Sequence, residues 1–404
     1  MTLNLPESLF ACLLAIAGLT LAAPATAQDM PASPSPWSLN TYGTLGVAAT
    51  DQERAGYRPN ASHRTALYDD WSGRLDNRLG VQLSYKLSPE LAVVGHVLTQ
   101  RDGADQVSTD WLWGMLQWTP APGWAVQAGR FQNTLFLTSD NLYVGYAHPW
   151  VRPPVELYSL GGESPDLDGI MLRYSKPWQD WQLGVTAHVA HARQVRPLYS
   201  YVNHPNSALA LSLSNNDWLF RVSMLFSKTS FQSPRAQAVA NLIAAQNPLA
   251  AADYQTGDLG VQRYANAGFR YEHHPWTVQG EVARTDLRKK TLPDQLAWYL
   301  TAAYSAGDFS PYLTYASVRG LGNLDENRLT GRASLAAQAL LNAKRNDQQT
   351  LSLGVRWDFR AGMALKAQWD RVHVPAGQQG LLMNPLPAGQ TRLNVVSVVL
   401  DWRY

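Results

Sequence analysis

Hydrophobic and polar positions alternate along much of this chain. In residues 350–359, Leu351, Leu353, Val355, Trp357 and Phe359 share one parity, and Ser352, Gly354, Arg356 and Asp358 share the other. Successive side chains of a strand point to opposite faces, so such a segment has one greasy and one polar side. In residues 74–85, Leu79, Val81, Leu83 and Tyr85 oppose Arg74, Asp76, Arg78, Gln82 and Ser84. In residues 218–228, Trp218, Phe220, Val222, Met224 and Phe226 oppose Arg221 and Ser223. The chain ends in the same way: Val396, Val398, Leu400, Trp402 and Tyr404 form a stripe that runs to the last residue. Sixteen segments have this character: 37–49, 74–85, 91–100, 110–118, 124–130, 168–174, 181–191, 207–213, 218–228, 261–271, 276–284, 295–304, 309–318, 350–359, 364–373 and 391–404. Most reach the ~9–11 residues with which a tilted strand crosses a bilayer.

The connections sort into two kinds. Seven are short and carry turn residues: 86–90, 119–123, 175–180, 214–217, 272–275, 305–308 and 360–363. Eight are longer: 50–73, 101–109, 131–167, 192–206, 229–260, 285–294, 319–349 and 374–390. The two kinds alternate, which puts all short turns at one end of an even-stranded sheet. A soluble sandwich has no reason for that sorting, whereas a transmembrane barrel has short periplasmic turns and long external loops. The pattern therefore predicts an all-β fold: a sixteen-stranded antiparallel transmembrane β-barrel with lipid outside and water within. Aromatic residues gather at the turn end: Tyr85, Trp118, Tyr174, Tyr271, Tyr304 and Phe359 close strands entering the turns. Trp124, Trp181, Trp218 and Trp276 open strands leaving them, and Trp402 and Tyr404 end the chain. Rings of this kind favour the bilayer interface and are expected to form a girdle. Arg130 falls in phase with the apolar face of its strand, so either a bulge turns it inward or it lies above the apolar band.

Composition agrees with this picture and narrows it. Charged residues make up 16% of the chain, and tryptophan (15) and tyrosine (18) are abundant. A net charge of +2 offers no electrostatic basis for a nucleic-acid partner. Mean hydropathy is -0.24, against a helical membrane protein, and no stretch is long and apolar enough for a spanning helix. Residues 9–23 form a short apolar run before Ala25-Thr26-Ala27, the pattern of a signal peptide (1–27) cleaved after Ala27. The run lacks the usual basic n-region. The single cysteine, Cys12, lies inside it and precedes most of the apolar residues, against a lipoprotein site. Residues 28–36 read as a flexible Pro/Ser-rich lead-in, and 37–404 as the barrel.

Short phrases join the architecture: Leu39-Asn40-Thr41-Tyr42-Gly43-Thr44, Asn77-Arg78-Leu79-Gly80, Ala128-Gly129-Arg130 and Pro311-Tyr312-Leu313-Thr314-Tyr315-Ala316. With these, the terminal aromatic and the strand count, the chain resembles the Gram-negative general porins over nearly all of its mature length. The resemblance implies a homotrimer in the bacterial outer membrane, a third external loop folded into the barrel, and acidic loop residues facing arginines on the opposite wall. The third loop here, 131–167, is rich in Leu, Tyr, Phe and Trp, which disordered loops lack, so it is expected to pack on the interior wall. Its Asp140, Arg152, Glu156, Glu163 and Asp166, with Arg74, Arg78, Arg130 and Arg173 on the strands, are the candidate constriction residues. The acidic loop signature of enterobacterial porins is replaced by His148-Pro149-Trp150-Val151-Arg152-Pro153-Pro154. Other inward charges expected from parity are Arg221, Arg270, Arg356, Lys366 and Arg403, against Asp76, Glu281, Asp358, Asp370 and Asp401. This basic excess points to a weak anion preference.

Two loop stretches, 236–252 and 333–344, have Ala/Leu-rich helical character and are expected to form short surface helices. The nine histidines offer no metal or catalytic spacing; His188 and His191 face opposite sides of a strand. No cofactor and no enzymatic step is expected. The reading is a passive diffusion channel for small hydrophilic solutes and ions, surrounded by outer-membrane lipid and lipopolysaccharide and inserted by the barrel-assembly machinery through its last strand. The alternatives are a substrate-selective channel, for example for anionic metabolites, and a plugged barrel acting as an adhesin or receptor.

Overall fold

The computed structural model describes residues 35–404 except 60–65, 102–104, 162–165, 197–198, 288, 291, 293, 323 and 385–388. The signal-peptide segment and most of the lead-in lie outside the described residues. Sixteen strands follow one another: β1 (Trp37–Thr50), β2 (Arg78–Lys86), β3 (Leu91–Arg101), β4 (Val107–Trp118), β5 (Trp124–Phe131), β6 (Leu167–Trp178), β7 (Trp181–Arg196), β8 (Tyr199–Ser214), β9 (Trp218–Gln232), β10 (Gly257–His273), β11 (Trp276–Asp286), β12 (Asp294–Tyr304), β13 (Phe309–Leu321), β14 (Gln348–Arg360), β15 (Met363–Val374) and β16 (Thr391–Arg403). Each pairs antiparallel with its sequence neighbours, and β1 pairs with β16, so the sheet closes and has no free edge. The seam runs from Tyr42 opposite Arg403 to Thr50 opposite Val395. Thr41 and Tyr404 exchange backbone hydrogen bonds at 2.8 and 2.7 Å, so the terminal aromatic residue is part of the closure.

Parity sets inside and outside. On β9, Phe220, Val222, Met224 and Phe226 are exposed on the outer surface, while Ser223 is buried within. On β16, Val396 is exposed, and Val395, Ser397, Val399 and Asp401 are at most 1% exposed on the inner face. A closed sheet with an apolar outer band and satisfied backbone is one of the two structures that can span hydrocarbon. At the turn end, aromatic rings pair across neighbouring strands: Trp37 with Tyr85 (4.3 Å), Trp124 with Tyr174 (4.4 Å), Trp218 with Tyr271 (4.6 Å) and Trp276 with Tyr304 (5.0 Å). Trp118 and Phe359 are exposed there, and Trp181 packs near Phe220. Trp402 differs: it is buried, because its indole lies over Gly43 of β1, where an added Cβ would come within 2.2 Å of the ring.

Three boundaries depart from the sequence reading. Residues 74–77 precede β2 and are not in the ladder; Asn77 Oδ1 accepts the Gly46 N–H at 2.7 Å, and Asp76 is committed to the interior. The connection expected at 192–206 is largely strand, with Ala192 opposite Asn203 and Arg196 opposite Tyr199. Above the apolar band a strand no longer needs alternating hydrophobicity, so its extension leaves no period-two signal. At 175–180, β6 continues to Trp178 and the turn narrows.

Both expected helical stretches form. Helix α1 (Val155–Tyr158) lies in the third loop; α2 (Pro234–Gln246), α3 (Pro248–Ala251) and α4 (Gly331–Asn342) sit at the loop end. Ser233 caps α2 by accepting the Ala236 N–H, with Pro234 in the first turn, a standard start signal. Ala240, Ile243, Ala333, Ala337 and Leu341 bury the contact between α2 and α4. Beside them the buried Glu326 accepts from Tyr254, Arg328 and Lys290. Among the described residues, no helix is long and apolar enough to cross a membrane.

Candidate functional site

The described part of the third loop folds into the barrel and divides its interior. Its apolar residues pack on the inner faces of β11 to β16: Leu135, Phe136, Trp150, Val155, Leu157 and Leu160 join Tyr299, Tyr312, Ala316, Val372 and Val395 in one core. Two other loops add to this core through Ala55, Tyr57, Leu67, Leu381 and Leu382. Trp150 is 2% exposed, with its ring edge-on to Tyr299 at 5.7 Å. Burying each large apolar side chain favours the folded-in loop by ~1.5–3 kcal/mol.

Polar wall residues then hold the loop by its backbone and charges. Glu281 of β11 accepts from Leu137 N (2.8 Å), Tyr158 Oη (2.5 Å), Tyr299 Oη (3.0 Å) and Asn266 Nδ2 (3.1 Å). Gln368 of β15 accepts from Val151 N at 2.9 Å and from Tyr312 Oη at 2.7 Å. Lys366 pairs with Asp401 at 2.8 Å and donates to the carbonyls of Gly145 and Trp150. Gly145 has no room for a side chain, since a Cβ would lie 2.1 Å from Asp401 Oδ1. Arg221 donates to Thr134 O, and Arg356 donates to the carbonyls of Tyr146 and His148. The His148 ring stacks on Trp150; its Nε2 donates to Asn141 O at 2.9 Å, and burial lowers its pKa to about 3, so it stays neutral.

On the opposite side the loop stands away from the wall. Gln82, Ser84, Gln117, Gln127, Asp140 and Arg173 line part of a cavity of ≈ 600 Å³ between the loop and β1–β6. Arg173 and Asp140 form a two-point ion pair across it, at 2.7 and 3.2 Å, with side chains 37% and 50% exposed. Nearby, the half-buried Tyr143 lies in the field of Arg78, Asp166 and Asp110, and desolvation raises the pKa of its hydroxyl.

The barrel fold is similar to those of solved outer-membrane proteins. The outer-membrane channel DcaP of Acinetobacter baumannii superposes with a TM-score of 0.56 at 10% identity, covering 92% of this chain and 99% of that one. The anion-selective porin of Comamonas acidovorans gives 0.51 at 14% identity, with 91% and 100% covered. OmpT of Vibrio cholerae, an outer-membrane protein folded in vitro and solved in a trimer form, gives 0.51 at 13% identity, with 92% and 100% covered. The chain has the porin fold. No family model matches the sequence, and no curated protein matches it.

Within this porin fold the nine candidate constriction residues separate into groups. Arg173 lines the open cavity and is paired there with Asp140, while Arg78, at the start of β2, lies near Tyr143 of the loop. Arg152 is instead buried: it holds Asp76 through two bonds of 2.6 and 2.7 Å, donates to Ser397, and lies 3.8 Å from Asp370. Glu156 is 1% exposed and accepts from Gln348 and Thr350 on β14; burial raises its pKa, and those two donors oppose the rise. Both residues fasten the loop to the wall and do not line the open space, because the apolar residues around them expel water from that side. Arg130 faces outward. No bulge turns it in; it stands directly opposite Asp168 on β6 and binds it through two 2.9 Å contacts, with Asp166 at 3.2 Å. Arg74 is 62% exposed at the loop end, paired with Asp105 at 3.1 Å. Glu163 lies outside the described residues.

Sequence parity placed Glu281, Lys366, Asp370 and Asp401 inside the barrel but did not reveal them as anchors for the loop. The available signal was the loop's own bulk: so many large apolar groups need a partner surface, and polar wall residues facing it must then bond to loop backbone. His188 and His191 do face opposite sides; His188 is buried against Asn206 at 3.0 Å, and His191 packs outside on His204.

Proposed function

We propose that this protein is an outer-membrane diffusion channel that passes small hydrophilic solutes and ions. The observation that carries the proposal is a closed sixteen-strand barrel whose inward loop leaves a polar, charge-lined cavity of ≈ 600 Å³ against one wall. Fixed opposite charges across a narrow wet gap favour solutes that keep their hydration partners and disfavour apolar ones. The charged residues lining that cavity are Lys86, Arg173 and Asp140, two cations against one acid, which supports a weak anion preference. The Comamonas neighbour is named as anion-selective, and the Vibrio neighbour was solved as a trimer. On this reading the chain is exported with cleavage after Ala27, assembles as a homotrimer, and inserts through its last strand by the barrel-assembly machinery. Tyr85, Trp118, Trp124, Tyr174, Trp181, Trp218, Tyr271, Trp276, Tyr304, Phe359 and Tyr404 lie at the periplasmic lipid interface, and lipopolysaccharide surrounds the loop end. No catalytic step and no cofactor enters the proposal.

A substrate-selective channel is the second reading, favoured by the two further loops that join the third inside the barrel and narrow it. Planar-bilayer recording of the folded protein tests both. Stepwise ion currents that scale with salt are expected for the first, and currents saturated or blocked by one solute class for the second. Well-folded protein that inserts and passes no current refutes both and leaves the plugged barrel.

A further inference from the structure

We propose that a groove on the outer surface of β13–β16 binds the phosphorylated headgroup of a lipid in the leaflet at the loop end. The groove measures ≈ 320 Å³ and is lined by Tyr315, Gln349, Leu351, Arg371, His373 and Arg392. Strand register makes it a small grid. Tyr315, Leu351, Arg371 and Asn394 stand side by side in one row. Gln349, His373 and Arg392 form the next row toward the loops. All share the parity of the lipid-facing Leu353, Leu365 and Val396, so these cations project away from the lumen.

Three outward-facing cations elsewhere at the loop end are paired within the protein. Arg130 binds Asp168, Arg101 binds Asp105, and Lys228 approaches Asp258 at 3.5 Å. Those in the groove are not. Among the described residues neither Arg371 nor Arg392 has a carboxylate within salt-bridge distance; Arg392 reaches only the amide oxygen of Gln390, at 2.9 Å. Arg319, outward on the neighbouring β13, adds a third cation with no carboxylate partner among the described residues.

Depth matches a headgroup. Arg371 lies eight residues from Met363 at the turn end of its strand, which for a tilted strand is roughly 20 Å along the barrel axis, near the top of a ~25 Å apolar band. An unpaired charge is tolerated at that height and is costly deeper. Below it the outer surface is continuous grease through Leu353 (46% exposed), Leu365 (37% exposed) and Val396 (43% exposed), the surface an acyl chain needs. Two arginines and a histidine above an apolar track complement a phosphate carried on acyl chains; guanidinium groups bind phosphate in charge-assisted, two-point fashion. The proposal rests on the reading that the barrel spans a bilayer with these loops at one face.

Native mass spectrometry of the detergent-folded protein with dioleoyl phosphatidic acid, dioleoyl phosphatidylcholine or glycerol 3-phosphate tests it. The expected result is selective retention of phosphatidic acid, reduced ~tenfold or more in the Arg371→Gln/Arg392→Gln double variant and largely kept in Arg371→Lys/Arg392→Lys. Equal retention by the Gln variant and wild type, equal binding of phosphatidylcholine, or displacement of the lipid by glycerol 3-phosphate at equal concentration overturns the proposal. Bilayer currents from the same preparations keep the two readings apart: a Gln variant that conducts normally and holds phosphatidic acid as tightly as wild type refutes the lipid site alone.

Discussion

The two walls of the lumen receive the same loop in opposite ways. Against β13–β15 the loop encloses a cavity of ≈ 20 Å³, room for about one water molecule. Against β1–β6 it is ≈ 600 Å³. Both sides carry an arginine–aspartate pair of good geometry. Arg152 and Asp76 on the closed side are 5% and 1% exposed, and Arg173 and Asp140 on the open side are 37% and 50% exposed. Water makes the difference. The closed pair is part of how the loop is held, since either charge left alone there would be buried without compensation. The open pair is solvated, so it shapes the field in the gap and contributes little to folding.

The strongest break of that contrast is Arg152→Ala. It strands Asp76 in the interior and removes the cation 3.8 Å from Asp370. A loss of ~3–5 kcal/mol is expected in a urea titration of the folded barrel, together with noisy, enlarged single-channel currents as the loop detaches. A wild-type unfolding midpoint for this variant would refute the anchoring role. Glu281→Gln is milder. It keeps the shape but weakens charge-assisted bonds from Leu137, Tyr158 and Tyr299, for an expected loss of ~1.5–3 kcal/mol in the same titration.

Open-wall changes should behave in the reverse way. Arg173→Ala and Arg78→Ala are expected to leave the midpoint within ~0.5 kcal/mol and to shift the reversal potential toward cations. One charge ~10 Å from a permeating ion in water changes its energy by ~0.4 kcal/mol, roughly a twofold change in preference. Unchanged selectivity in both variants would exclude this wall from the permeation path.

The smallest expected effect is at the foot of the loop. Burial pushes the Asp166 carboxyl up to about 6, against the pull of Arg130. An unfolded aspartate titrates near ~3.9, so between these values the folded chain binds more protons and stability rises as pH falls through about 6. Asp166 is 38% exposed, which keeps the gain small. The comparison is the urea midpoint of wild type and Asp166→Asn from about pH 7 to about pH 4. The variant should lack this part of the slope, and parallel curves would show that the carboxyl is not perturbed.

Much of the barrel was legible in the residues themselves. Period-two alternation counted the strands, assigned Ser352 and Asp370 inward and Leu353 and Trp357 outward, and the sorting of turns and loops set the two ends. It failed where the constraint that writes the pattern is absent. The extensions of β7 and β8 stand above the apolar band and need no alternation. Arg130 was readable only as an exception, because its partner Asp168 lies on the next strand and the pairing register is not a local property. Charged loop residues were gathered as one class of candidate, yet Arg152 and Glu156 are fasteners while Asp140 stays in the open gap.

What the linear order of residues determined is the wall: each strand's two faces follow from geometry that every residue obeys independently, so lipid-facing and interior positions can be assigned one strand at a time. What only the folded chain decided is which interior charges meet water. That depends on where one long loop comes to rest among sixteen strands, and its resting place is set by the summed packing of Leu135, Trp150, Leu157 and their distant partners. Desolvation is a collective property of neighbours far apart in sequence, and so the same arginine–carboxylate chemistry became structural on one side and solvated on the other.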